Sequence, residues 1–144
     1  MIALGKTFMR TMLADVIASQ WAGCKVDLYQ NDITPGLDSA IGDFTICDFS
    51  NYVQASVPAW QVPYSRQDGT AESNGATITW LHNGGVVANI VYGYILRTAG
   101  GAYIGGGRLD APVSMASLGD AIALVPQLAC IRTAMESFAE IQGP

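Results

Sequence analysis

From Tyr52 onward the chain is written in short runs of β-branched and aromatic residues, punctuated by Gly, Asn and Pro. This pattern constrains the fold more than anything else in the sequence, because extended runs satisfy their backbone polar groups only by pairing sideways. The runs "YVQASV" (52–57) and "AWQVPY" (59–64) flank Pro58, which lacks an N–H for a ladder and marks an edge or a bend. In "ATITWL" (76–81), Ala76, Ile78 and Trp80 alternate with Thr77, Thr79 and Leu81. "HNGG" (82–85) reads as a hairpin turn, since Asn83-Gly84 accepts the positive φ angles that such turns need. "VVANIVYGYILRT" (86–98) follows, and "AGG" (99–101) turns into "AYIGGGRLD" (102–110), continued by "APVSMA" (111–116). "DAIALVPQLACI" (120–131) closes the series after Leu118-Gly119. The expectation is a mainly β fold, an antiparallel β-sandwich or jelly roll.

The period differs upstream. Met9, Met12, Leu13, Val16 and Ile17 fall at helical spacing, and Gly23 offers a stop, so one amphipathic helix is expected over about residues 6–21. Its apolar stripe has two uses: packing on the chain's own core, or docking on a neighbouring subunit. Those five residues are therefore the candidate subunit contacts. "KVDLYQ" (25–30) then alternates Val26 and Leu28 against Asp27 and Tyr29 as a strand. An irregular connection rich in Asp, Gly and Pro runs over 31–51, with "DFTICDF" expected as a single helical turn capped by Asp43, with Phe44 and Phe49 turned inward. The chain reads as one domain, residues 1–144: the helix within 1–23, a sandwich over 24–131, and a tail at 132–144.

The length of 144 residues allows a single core, yet only 13% of residues are charged against an apolar half. So few charges leave neutral and apolar surface, which points to a subunit of an assembly. A net charge of −5, with seven Lys and Arg in all, argues against nucleic acid as a partner, because neutralising phosphates takes clustered cations. Cys24, Cys47 and Cys130 form no close pair and are expected as reduced, mostly buried thiols. Asp15 interrupts the only N-terminal run resembling a secretory leader, and no run is long enough to span a bilayer, so a soluble, unsecreted protein with no membrane partner is expected.

Candidate chemistry is sparse. His82 is the single histidine, and a Ser-His-Asp or Cys-His arrangement would have to use it; beside a turn it is expected in solvent. One His and three scattered Cys lack zinc-ligand spacing. The glycines of "GGAYIGGGRLD" lack the Lys-Ser/Thr ending of a phosphate loop and read as a bulge or a close backbone approach. Asp27, Asp32, Asp38, Asp43 and Asp48 lack the tight spacing of a calcium loop and read as turn and cap residues. In "LYQNDITP" (28–35), Asn31 and Asp32 terminate a strand, and Pro35 disfavours helix at Thr34.

The segment "VDLYQNDITPGLDSAIGDFTICDFSNYV" resembles a family of short structural proteins encoded by tailed bacteriophages. These share an "L-[FY]-x-N-[DN]-x-T-P" strand end and, after a spacer, an "[AG]-D-F-T-x-x-D-F-x-x-Y" clump. The match runs through Leu28, Tyr29, Asn31, Asp32, Thr34 and Pro35, then Gly42, Asp43, Phe44, Thr45, Asp48, Phe49 and Tyr52. The N-terminal helix, "YGYIL" (92–96) and "GGGRLDAPVSM" (105–115) also resemble that family's layout. The resemblance implies a non-enzymatic virion protein without metal or other cofactor, a cement or decoration subunit on the outside of the head. Its partners would be the major capsid protein and copies of itself, a trimer being the preferred oligomer. A tail, baseplate or fibre module, binding a glycan through Trp60 and Trp80, is the alternative.

Overall fold

The structure, a computed structural model, describes residues 5–130; the expected tail at 132–144 lies outside the described residues. The fold is mainly β and sandwich-like in class, with one N-terminal helix and antiparallel pairing in every sheet. The backbone packs as two compact units, each built from separate stretches of chain.

The first unit contains helix α1 (Lys6–Gln20), strands β3 (Tyr64–Ser65) and β4 (Ala71–Asn74), and β9 (Gln127–Cys130). Helix α1 starts at Gly5 without a side-chain cap and ends where the Trp21 N–H reaches the Ile17 carbonyl, two residues before Gly23 takes a left-handed φ of +68°. Met9 and Leu13 are buried in a cluster with Ala71 of β4, and Ile17 and Trp21 pack against it. The stripe that faces inward is thus narrower than the five residues expected, stepping by four along the helix. In the sheet β3-β4-β9, β4 lies in the middle. It is strongly buried although its sequence, "AESN", carries no β-branched or aromatic residue.

The second unit holds β1 (Lys25–Tyr29), β2 (Ala55–Ser56), β5 (Ile78–Leu81), β6 (Asn89–Arg97), β7 (Tyr103–Met115) and β8 (Ala121–Leu124). Its larger sheet has the order β2-β1-β6-β7. β1 is flanked on both sides, and its last four residues are all buried. Asp27 therefore lies inside rather than on a solvent face, as simple alternation would have placed it. β6 and β7 form a hairpin through Gly101. Their register slips between Val91 and Gly93, so that Leu109–Pro112 bulge opposite Tyr92, and Pro112 sits where no ladder bond is lost. β5 and β8 make a second, two-stranded sheet.

Four expectations need correction. "HNGG" is not a hairpin turn: β5 pairs with β8 and β6 with β1 and β7, although Gly84 does take φ +83°. "DFTICDF" is extended, with Ile46 bridged to Tyr29; the helical turn lies just before it, a 3-10 turn at Ile41–Asp43, and Asp43 closes that turn by accepting the Ala40 N–H. Phe44 and Phe49 are buried as expected. The closing run splits at Val125-Pro126 into β8 and β9, which belong to different sheets. His82 is buried, 1% exposed, rather than in solvent.

Candidate functional site

The residues that carry the phage resemblance converge in the second unit, around the end of β1. Asn31 is the first clamp: its Nδ2 donates to the Asp43 carbonyl at 2.8 Å, and its Oδ1 accepts the Thr45 N–H at 2.8 Å. The returning segment is held antiparallel to β1 by Gln30 N–H to Thr45 O (2.8 Å) and Cys47 N–H to Leu28 O (2.9 Å). Asp32 pairs with Arg108 of β7, whose guanidinium also donates to the Ile33 carbonyl at 2.9 Å and lies 5.4 Å from the centre of the Tyr92 ring. Pro35 rests over Gly106, where a Cβ would come within 3.3 Å of its ring. Thr34 is exposed. Beneath them Tyr29, Phe44 and Tyr103 stack, with centroids 5.1 and 5.5 Å apart.

The second half of the motif is anchored as firmly. Asn89 of β6, which sequence reasoning missed, is buried and accepts the N–H groups of Asp48 (2.7 Å) and Phe49 (2.8 Å) on one oxygen. Its amide nitrogen donates to Gln30 Oε1 and Asp48 Oδ1, both at 2.9 Å. Phe49 is buried edge-on to Tyr52, centroids 5.2 Å apart. Tyr52 donates its hydroxyl proton to Asp27 Oδ1 (2.9 Å) while accepting the Leu28 N–H (3.0 Å). Asp27 Oδ2 accepts from Gln54 Nε2 at 2.7 Å and lies 2.9 Å from Arg97 Nε, in ion-pair range though off the hydrogen-bond angle.

This arrangement interlocks chain segments. The polar atoms of Asn31, Asp27 and Asn89 are used to tie loop to strand. His82 is equally committed: its Nδ1 accepts the Gly84 N–H at 3.0 Å, so Nε2 carries the proton and donates to the Val87 carbonyl at 2.9 Å. Among the described residues, no group of three or more His, Cys, Asp or Glu is placed to hold a metal ion, and no helix is long and apolar enough to cross a membrane.

The helix stripe lies elsewhere, in the first unit. Met9 and Leu13 are inside it, Met12 and Ile17 are half-buried, and Val16 and the neighbouring Phe8 are exposed. Of the expected contact residues, Val16 is thus the most accessible. Trp80 is buried with its Nε1 donating to the Val53 carbonyl at 2.8 Å, and Trp60 is half-buried.

Burial at the motif has a consequence for pH. It pushes the Cys47 thiol up to about 12, aided by Asp48 and Asp27, and raises the Tyr52 phenol above its usual range against the opposing Leu28 N–H. The Tyr29 phenol is raised in the same way, mainly by burial. In the unfolded chain a thiol ionises near about 8.5 and a phenol near about 10. Above those values the unfolded chain has released protons that the folded chain retains, so stability falls as pH rises. The urea midpoint is expected to hold steady up to about pH 8 and to drop progressively above about pH 9. A midpoint that rises or stays level through that alkaline range contradicts the burial.

Compared with known proteins, the chain matches no protein-family model, no curated protein and no solved structure.

Proposed function

We propose that the chain is a virion structural subunit, a cement or decoration protein that bridges neighbouring major capsid proteins on the outer surface of a tailed-phage head. The observation that carries the reading is the surface. Thirteen large hydrophobic side chains among the described residues are more than a third exposed, in a chain with only nineteen charged residues. Scattered exposed apolar residues are ordinary, but this balance leaves little charge to keep such a surface in water, and contact with other proteins relieves it. The interlocked strand end supports the same role. A clamp must hold its shape under load, and the loop from Asn31 to Tyr52 is tied by side-chain bonds to β1, β6 and β7. Each contact contributes roughly 25 cal/mol per Å² of apolar area before association costs, and repetition over a closed shell multiplies modest contacts. The glycan-binding alternative has less to work with, since Trp80 offers no exposed ring face.

The test is co-sedimentation of the purified protein with heads assembled from the major capsid protein of the same genome, alongside free DNA. Saturable binding to heads without retention on DNA is expected. Phe8→Asp and Val16→Asp probe the helix without disturbing its buried side, whereas Leu13→Asp would unfold it. Binding to DNA in place of heads, or to neither, overturns the reading.

A further inference from the structure

The "HNGG" segment makes no hairpin, and its Asn83-Gly84 pair has a chemistry of its own. An asparagine amide is open to attack by the backbone nitrogen of the next residue, and glycine offers that nitrogen with no side chain in the way. The attack is ordinarily slow, since a backbone N–H is a poor nucleophile until a base takes its proton. Here a base is in place. Gly84 N–H donates to His82 Nδ1 at 3.0 Å, and that nitrogen carries the free lone pair because Nε2 holds its proton on the Val87 carbonyl at 2.9 Å. The electrophile is prepared as well. Asn83 Oδ1 accepts the Gly85 N–H at 3.1 Å, which polarises the amide carbonyl and stabilises the oxyanion that attack creates. Closing that bond also folds the side chain back as a turn over the Asn83-Gly84 peptide, bringing Cγ beside the Gly84 nitrogen.

The surroundings hold these groups still. His82 is buried and stacks on Phe49, ring centroids 6.1 Å apart. Its own N–H donates to the Asp120 carbonyl at 2.9 Å, and its carbonyl accepts the Gly119 N–H at 3.2 Å. The Asp120 carboxyl, held low by the Ala116 and Ser117 N–H groups and by His82, favours the positive charge that the ring takes up with a proton. Asn83 itself is exposed, so its amide is open to water. The other Asn-Gly pair, Asn74-Gly75, is built differently. Gly75 N–H lies on the Pro126 carbonyl at 2.7 Å, a group that takes no proton, and Asn74 belongs to the extended backbone of β4.

We propose that Asn83 is a self-modification site: the folded chain closes Asn83-Gly84 to a cyclic imide, which water opens to aspartate or isoaspartate. The Gly84 nitrogen gives its proton to His82 Nδ1 and bonds to Asn83 Cγ. The Cγ–Nδ2 bond breaks, and the imidazolium returns the proton so that ammonia leaves. Solvent water then adds to either imide carbonyl. Opening at the main-chain carbonyl reroutes the chain through the side chain and lengthens the loop by one carbon. Either product places a carboxylate in the stretch between Glu72 and Arg97, which otherwise holds no Asp, Glu, Lys or Arg. The modification goes beyond the proposed place on a shell and does not depend on it.

The test follows the wild-type chain, folded and in guanidinium chloride, at neutral pH in heavy-oxygen water, with mass spectrometry of proteolytic peptides as the readout. In denaturant the two Asn-Gly pairs are expected to convert at similar rates. Folding is expected to speed Asn83 about tenfold or more and to slow Asn74. This comparison needs no variant. His82→Gln keeps an acceptor for the Gly84 N–H but no base. With an unchanged circular dichroism spectrum, it is expected to return Asn83 to the unfolded rate or below. Conversion of Asn83 in the folded wild type no faster than in denaturant, or a folded His82→Gln variant that keeps the acceleration, overturns the proposal.

Discussion

Replacing Asp27 with alanine is expected to lower the stability of the fold by about 3 kcal/mol, the low end of the cost of stripping a buried charge of its partner. Asp27 is 2% exposed on β1, and three groups converge on its carboxylate: the Tyr52 hydroxyl, the Gln54 amide and the Arg97 guanidinium from β6. Alanine leaves Arg97 without its counter-charge between two strands. Arg97 keeps some access to water, which is why the low end applies. The pair itself is worth less than its loss suggests, because both charges have already been taken out of water. Asp27→Leu combined with Arg97→Met is accordingly expected to recover most of the stability lost by Asp27→Ala. Urea unfolding of the single and double variants measures both effects. A cost below about 1 kcal/mol for Asp27→Ala would mean that the network is solvated and carries little of the fold.

The mainly β character and the helix were legible because periodicity is local. Helical spacing from Met9 to Ile17 and strand runs after Tyr52 are written in neighbouring residues. Pairing is not local, and there the reading departed from the structure. Asn83-Gly84 supplies the positive φ of a hairpin, and Gly84 adopts it, yet the partner of β5 is forty residues further on, at β8. β4 was invisible for a different reason. Nothing in "AESN" alternates, and the strand is held by the cover of α1 over Ala71 and by the buried Glu72 carboxylate. That carboxylate gathers the Tyr64 hydroxyl and Arg66 Nε at 2.6 Å from just upstream, and Gln127 Nε2 at 2.6 Å from 55 residues away, a partner that no local sequence window contains.

The candidate site shows the same division. Asn31, Asp32 and Pro35 read as a strand terminator, and they do end β1, but their partners lie up to 76 residues away. Asp27 reads as a turn or cap residue, yet it lies buried within β1, because a single strand does not announce that it is flanked on both sides. Asn89 sits in a stretch that reads only as β-forming, and its role appears once the loop carrying Asp48 and Phe49 closes on it. One signal was available: an amide in the middle of an otherwise apolar strand run is costly to bury unless bonded, and so asks for a partner.

Gly93→Ala is expected to be the most damaging single methyl addition in the second unit, at about 3 kcal/mol or more. Gly93 lies on β6 opposite Arg108 and beside Tyr29, and a Cβ there would overlap both the Gly107 carbonyl oxygen and the Tyr29 hydroxyl. Neither obstacle yields readily. The carbonyl belongs to the β6–β7 ladder, and Tyr29 is fully buried with its hydroxyl donating to the Ile33 carbonyl at 3.1 Å. Gly105 provides the contrast on the partner strand, since a Cβ there meets nothing within 4 Å. Gly105→Ala is therefore expected to cost little or to stabilise slightly by restricting the unfolded chain, by up to about 1 kcal/mol. Tyr29→Phe removes the hydroxyl but leaves the ring Cζ, itself 2.5 Å from the added methyl, and is expected to return little of what Gly93→Ala loses, the carbonyl clash also remaining. Thermal or urea unfolding of the three variants separates the effects. If Gly93→Ala and Gly105→Ala are tolerated equally, Tyr29 does not seat against β6, and the strand end, with Asn31 and Arg108 built around it, is not locked as described.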